Sequence, residues 1–476
     1  MRILYVASEV APFSKTGGLG DVAGALPAEL AALGHEVKVV TPRYASIQEP
    51  RLTPTGHELE LRFPFGTERG PVLSLRPSEN LELLFLDNPR FYGRTGLYGD
   101  AGGEFGDNAQ RFTYLSLGAL QAAQRLDFIP DILHVNDWQT ALAPVALRRG
   151  FFGSSLGRTR SVLTIHNLAY QGQFGKHLME ELGLPWELFN AESGLEFYDG
   201  INFLKGGLQF ADALTTVSPT YAREIQEPAG GASLDGLLRR RQGALHGILN
   251  GIDVNEWNPE TDALLPARYG AEDLSGKAVC RRELLRRFGL PEEERTPLLG
   301  IVSRLAWQKG VDLLLEVLPQ ALEEGWRFVA VGNGERAYEE GLRALQRRFP
   351  QKVGVFIGFD AGLSHLVEAG ADFFVMPSRY EPCGLNQMYS LRYGTVPIVR
   401  STGGLADTVE DGEEGTGVRF DAFQPPALLE ALRRARALYE EPERLRGFQR
   451  RGMARDFSWA ASARRYERLF ASLLAD

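Results

Sequence analysis

The sequence predicts two doubly wound α/β domains facing across a cleft, on three observations. At 476 residues the chain is too long for one ordinary core, since domains run at ~150 residues each. Short apolar runs alternate with amphipathic stretches in both halves, the pattern of parallel sheets joined by right-handed helical crossovers. Between the halves, residues 246–259 (HGILNGIDVNEWNP) are rich in Gly, Asn and Pro and break the alternation.

Taken in order, the first half offers strands at 3–7, 37–41, 83–86, 132–135, 161–165 and 213–217, with a helix at 23–33 after the first. The second half offers strands at 298–303, 327–332, 353–357, 373–376 and 396–399, with helices at 312–324 and 336–349. Parallel strands are covered on both faces, so they read as unbroken apolar runs, as these do. A terminal helix is expected at 458–474, with Ser458 as N-cap and Trp459, Tyr466 and Phe470 apolar. The implied organisation is a Rossmann-like domain at 1–245, a hinge at 246–259, a second Rossmann-like domain at 260–457, and a helix at 458–476 returning to the first. Ligands of such sheets lie beyond the carboxyl ends of the strands, which puts them in an interdomain cleft.

Composition narrows the function class. The chain is 44% hydrophobic and 24% charged, ordinary for a globular enzyme. A net charge of -9 argues against bulk attraction to nucleic acid or anionic membrane. Cys280 and Cys383 are far apart and form no C-x-x-C, so neither a disulfide framework nor a zinc site is indicated. With no secretory h-region and no apolar run near the ~18 residues that span a bilayer, the expected address is the cytoplasm. Only seven of the 52 basic residues are Lys, a skew compatible with a GC-rich genome or with heat adaptation.

The chemistry-bearing segments follow strands. Lys15, Gly17, Gly18 and Asp21 lie in KTGGLGDV (15–22), where a loop with one ammonium runs into a helix N-terminus and makes an anion cradle. It matches neither a Walker A sequence nor G-x-G-x-x-G, and a generic Gly-rich turn is the alternative. Arg304 and Lys309, in VSRLAWQKG (302–310), pair a guanidinium fork with a point charge and suit two neighbouring phosphates. Glu381, before Cys383 and Gly384, has a carboxylate for ligand hydroxyls, or serves as a helix-dipole partner. Thr402, Gly403 and Gly404 open another small-residue loop whose backbone N–H groups suit a diphosphate. In the first half, Asp137 and Trp138 follow one strand and His166 another, giving polar groups and an aromatic platform that match a sugar. His134, inside its strand, reads as structural. No D-x-D occurs, so a donor diphosphate would be neutralised by side chains and helix ends, without a metal site or cofactor.

Eight ordered motifs, from SEVAPFSKTGGLGDV (8–22) and LDNPRFYGRTGLYGD (86–100) through HVNDWQT (134–140), TIHNLAYQGQF (164–174), ILNGID (248–253) and VSRLAWQKG (302–310) to PSRYEPCGLNQ (377–387) and STGGLADTV (401–409), resemble those of bacterial and plant-type glycogen/starch synthases. These are retaining glycosyltransferases of the GT-B fold, and the likeness runs from residue 1 to about 472. It implies transfer of glucose from ADP-glucose to the 4-hydroxyl at the non-reducing end of glycogen or a maltooligosaccharide, releasing ADP. By that likeness Lys15, Gly17, Gly18 and Asp21 lie by the donor, and Arg304 and Lys309 hold its pyrophosphate. His166 and Asn250 contact the hexose, with His166 lining the reaction centre. Glu381 binds the transferred glucose beside Cys383 and Gly384, Gly403 and Gly404 lie near the diphosphate, and Tyr98, Asp137 and Trp138 serve the acceptor and sugar. Asn136 departs from the common second His, and Leu97 from a common Pro; Tyr389 stands where the wider retaining group often carries a carboxylate. With no residue placed as a covalent nucleophile, front-face displacement and closure about 246–259 are expected. The competing readings are a glucan phosphorylase, a sugar-nucleotide epimerase or a glucan-binding scaffold.

Overall fold

Two sheets organise the chain, each in its own unit, and a computed structural model describes residues 1–292 and 296–475. One unit comprises Met1–Val217, Ala222–Gly251 and residues 459–475, and the other Ser218–Tyr221 and Ile252–Ser458.

The sheet of the first unit has strands β1 (Arg2–Val6), β2 (Glu36–Pro42), β3 (Thr53–Phe63), β4 (Gly66–Ser78), β5 (Leu81–Leu86), β6 (Ile132–Asn136), β7 (Arg160–Ile165), β8 (Ala213–Thr216) and β9 (Leu245–Gly247). Their spatial order is β9-β8-β7-β6-β1-β2-β5-β4-β3. The seven strands from β9 to β5 run parallel, and β4 and β3 extend the sheet as an antiparallel hairpin. Chain order reverses between β1 and β6, which makes their carboxyl ends the topological switch point. The terminal helix Trp459–Ala475 packs within this unit, against the helix Gly18–Ala32. Its Tyr466 and Phe470 are fully buried and close on the ring of His134 at 5.3 and 5.6 Å.

The second sheet has β10 (Leu298–Val302), β11 (Arg327–Gly332), β12 (Val353–Ile357), β13 (Phe373–Met376), β14 (Val396–Arg400) and β15 (Val418–Phe420). All pairs are parallel in the order β12-β11-β10-β13-β14-β15, with the reversal between β10 and β13. Alternation of side chains explains its two cores. Leu299, Ile301, Phe328, Ala330, Phe373 and Val375 point to one face, where Leu314 and Leu318 of the helix Val311–Glu323 and Leu428 and Leu432 of Pro425–Tyr439 cover them. Leu298, Val329, Val331, Phe374 and Met376 point to the other, under Leu284 of Ser275–Arg287 and Val367 of Ala361–Gly370.

Every expected strand is present within two residues of its expected bounds. The first helix begins at Gly18 rather than 23, because Gly17 already has extended geometry and acts as its N-cap. The hairpin of β3 and β4 was not expected: its half-buried, charge-studded pattern lacks the apolar runs of the parallel strands.

Candidate active site

In the first unit, the loop after β1 is held by a buried carboxylate. Glu9, only 3% exposed, accepts bonds from Thr16 N (2.6 Å), Thr16 Oγ1 (2.6 Å), Gly17 N (3.3 Å) and the Tyr98 hydroxyl (2.6 Å). Lys15 pairs with Asp21 at 2.7 Å, half exposed. A Cβ built on Gly17 or Gly18 would meet nothing within 4 Å, so the backbone there borders open space. Tyr98 sits in the following layer, with its neighbour's carbonyl, that of Leu97, fixed by the buried guanidinium of Arg111 (2.9 Å).

At the ends of β6 and β7 lies a second cluster. Asp137 adopts φ 56°, and its Oδ1 accepts the His166 backbone N–H at 2.7 Å. Burial pushes its carboxyl up to about 7, partly offset by N–H bonds from His166 and Asn167. Burial likewise pushes the His166 imidazole down to about 3, so the ring is neutral. Asn136 Nδ2 donates to Val6 O, which leaves Asn136 Oδ1 facing His166 Nε2 at 2.9 Å. An amide oxygen only accepts, so the ring proton is on Nε2 and Nδ1 is an acceptor. Asn250, 8% exposed, has a buried Oδ1 with no hydrogen-bond partner among the described residues.

The Trp138 indole is largely buried. It is 8% exposed and set edge-on to Phe112 (5.2 Å) and Phe174 (5.6 Å). A Cβ on Gly172 would come within 2.4 Å of the ring, so the Gly172 backbone covers one face of the Trp138 indole.

In the second unit, the loops after β10 and β13 border a cleft of about 170 Å³ lined by Ser303, Arg304, Lys309, Ser378, Gly384 and Asn386, among others. Lys309 Nζ donates to both oxygens of Glu381, at 2.9 and 2.7 Å, and Ser378 Oγ donates to Oε2 at 2.9 Å. Arg304 is exposed beside them. Gly310, φ 69°, permits the turn, since a Cβ there would lie 2.0 Å from Pro377 O. Cys383 is buried, and Gly384 (φ 73°) passes against the Gln387 amide.

The loop of Thr402, Gly403 and Gly404 differs from expectation. The Gly404 N–H donates to Glu381 O (3.1 Å), and the N–H groups of Leu405 and Ala406 go to Thr402 O. Cβ atoms on Gly403 and Gly404 would lie 1.8 Å from Glu381 O and 1.9 Å from Cys383 O. These glycines therefore let two loops touch, and the Gly404 N–H is engaged with protein rather than open to a diphosphate.

Residues 2–240 match the family model described as the starch synthase catalytic domain, and residues 284–451 that of glycosyl transferases group 1. The chain is 69% identical to a glycogen synthase of Myxococcus xanthus and 54% identical to one of an Anaeromyxobacter species, each over all of both chains. It superposes on the catalytic domain of starch synthase IV from Arabidopsis thaliana, bound to ADP and acarbose, with a TM-score of 0.90, 33% identity, and coverage of 100% and 99%. This chain belongs to the glycogen synthase family. It is a hexosyltransferase of the GT-B fold, and that fold is also shared by a sucrose-phosphate synthase from Thermosynechococcus elongatus at 19% identity and TM-score 0.62.

For a glycogen synthase, the residues that sequence reasoning passed over are the holders. Glu9, Arg111 and Ser378 were not singled out, and Asn136 was noted only as a departure. The signal for Glu9 was present, as a carboxylate eight residues before a Gly pair, but nothing in linear order says that the chain returns to it. Among the described residues, no helix is long and apolar enough to cross a membrane.

Proposed function

We propose that the protein transfers glucose from ADP-glucose to the non-reducing-end 4-hydroxyl of an α-1,4-glucan, glycogen or a maltooligosaccharide, with retention, as a cytoplasmic enzyme. The observation that carries this reading is Lys309, held by Glu381 and set with Arg304 on the cleft at the β10/β13 switch point. Arg304 and Lys309 bring two cations to a place where strand topology directs ligands, and they suit a leaving diphosphate. ADP in the Arabidopsis relative supports the nucleotide assignment. Arg304, Lys309 and Glu381 serve the donor together with Lys15, Gly17, Gly18 and Asp21 of the first unit, His166 and Asn250 contact the hexose, and Tyr98, Asp137 and Trp138 serve the acceptor and sugar side.

Both oxygens of Glu381 are engaged by Lys309 and Ser378, which makes it a poor covalent nucleophile and a good acceptor for sugar hydroxyls. Front-face displacement fits that chemistry. The bond from the anomeric carbon to the ADP oxygen breaks as the acceptor oxygen attacks on the same side. The departing phosphate takes the acceptor's proton. The protein contributes alignment and charge stabilisation. His166, neutral with Nδ1 as acceptor, holds a hexose hydroxyl without adding charge. Asp137 fixes the His166 backbone. Gly403 and Gly404 act by placing Glu381.

Labelled ADP-glucose and UDP-glucose, each offered with and without glycogen and followed by digestion with an α-1,4-specific amylase, test this. Label should enter digestible polymer from ADP-glucose and only when glycogen is present. Incorporation from UDP-glucose alone, or release of ADP without polymer, would overturn the assignment.

A further inference from the structure

The Glu9 carboxylate has four donors and no cation among them. A buried carboxylate placed only among neutral donors costs desolvation, and it persists where its bonds fix a conformation. The conformation fixed here is that of the glycine loop. Glu9 engages the N–H groups of Thr16 and Gly17, the two just outside the helix Gly18–Ala32. The next N–H group, on the exposed Gly18, opens the helix's first turn, where the N–H groups have no intrahelical acceptor. Gly17 and Gly18 also border open space.

The same carboxylate orders Tyr98. Its single phenolic proton goes to Glu9 Oε1, so the 2.7 Å contact with Ser8 requires Ser8 Oγ to donate to Tyr98. Tyr44 in turn donates to Ser8 O at 2.9 Å. One side chain thus ties residues 8, 16, 17 and 98 into a single hydrogen-bonded unit.

We infer that Glu9 is a positioning residue for glucose transfer: it sets the 15–18 loop so that the helix's first N–H groups stay open to the donor, and it couples that loop to Tyr98. The kinetic half of this inference rests on the function proposed above; the ordering of the loop does not. Glu9→Gln replaces one acceptor oxygen with an NH₂ that faces donors, so it cannot reproduce the set.

The test compares wild type, Glu9→Gln, Thr16→Val and the double variant. Hydrogen exchange in the absence of any substrate reads the loop directly. In Glu9→Gln the amides of residues 15–20 should exchange roughly tenfold faster or more, while β10–β15 are unchanged. In transfer assays the KM for ADP-glucose should rise roughly tenfold or more, and the KM for glycogen should rise less, through the loosened Tyr98. The double variant should be no worse than Glu9→Gln alone, because both changes act through one bond set. Unchanged exchange at 15–20 would overturn the inference whatever the enzyme's substrate. Loosened exchange with an unchanged donor KM, or with the glycogen KM rising more than the donor KM, would overturn its kinetic half. A wild-type protein that transfers nothing from ADP-glucose would sink the proposed function instead, leaving the exchange result to judge Glu9.

Discussion

Lys309 and Glu381 show how much a single contact decides. Each was expected to face a ligand, and the structure pairs them at 2.7–2.9 Å with side-chain exposures of 20% and 7%. Replacing Lys309 by Ala both removes a cation from the leaving group and strands a buried carboxylate. Lys309→Ala should lower kcat on ADP-glucose about a hundredfold, equivalent to about 3 kcal/mol; steady-state kinetics with saturating glycogen check this. The titrating residues of the first unit set opposite pH trends. His134 and His166 are held down to about 3 against 6.5 for the free side chain, so the unfolded chain binds more protons between those values. Their contribution is complete above pH 6.5 and is lost as pH falls toward 3. Asp137, pushed up to about 7, runs the other way: its contribution is present below about pH 4 and is lost as pH rises through 7. Urea unfolding at pH 5 and pH 7 should therefore show a smaller acid loss in His134→Gln than in wild type, since Gln does not titrate.

At the scale of elements, the glycines sort into two kinds that the sequence does not distinguish. Gly310 and Gly403 have positive φ and backbone carbonyls about 2 Å from where a Cβ would sit. Gly17 and Gly18 have neither constraint. Gly403→Ala should cost on the order of 1–3 kcal/mol in strain alone and displace Glu381, lowering both stability and kcat. Gly18→Ala should leave stability unchanged or raise it by ~0.4–1 kcal/mol while raising the donor KM. Thermal unfolding and kinetics on the two variants separate these outcomes. Elements were legible where physics is local. Strands β10–β14 read as continuous apolar runs because helices cover both faces, and they were found nearly to the residue, whereas the short β15 (Val418–Phe420) was not expected. The β3–β4 hairpin was not, because an edge hairpin carries Glu60, Arg62 and Arg69 on its open side and resembles a polar loop in linear order. Likewise Trp138 reads as an aromatic platform next to Asp137, and only the tertiary structure shows that Phe112, Phe174 and Gly172 pack around it.

At the scale of the whole molecule, the two units have separate cores, and the last helix belongs to the first of them. Phe470 is fully buried and meets His134 edge-on. Phe470→Ala should cost about 3–5 kcal/mol, and hydrogen exchange should quicken in β1, β6 and β7 but not in β10–β15. The sequence by itself determined the parallel sheets and the position of each functional loop after a strand. It also determined the family, because eight motifs in order depend only on residue identity and spacing. Tertiary structure decided which groups those loops present: Lys309 against Glu381, Gly404 N–H against a carbonyl, Asn136 against His166, and Glu9 beneath the glycine loop. Those pairings join residues tens of positions apart or lie across loops whose course is set by packing, and side-chain direction in a loop is not encoded by any period.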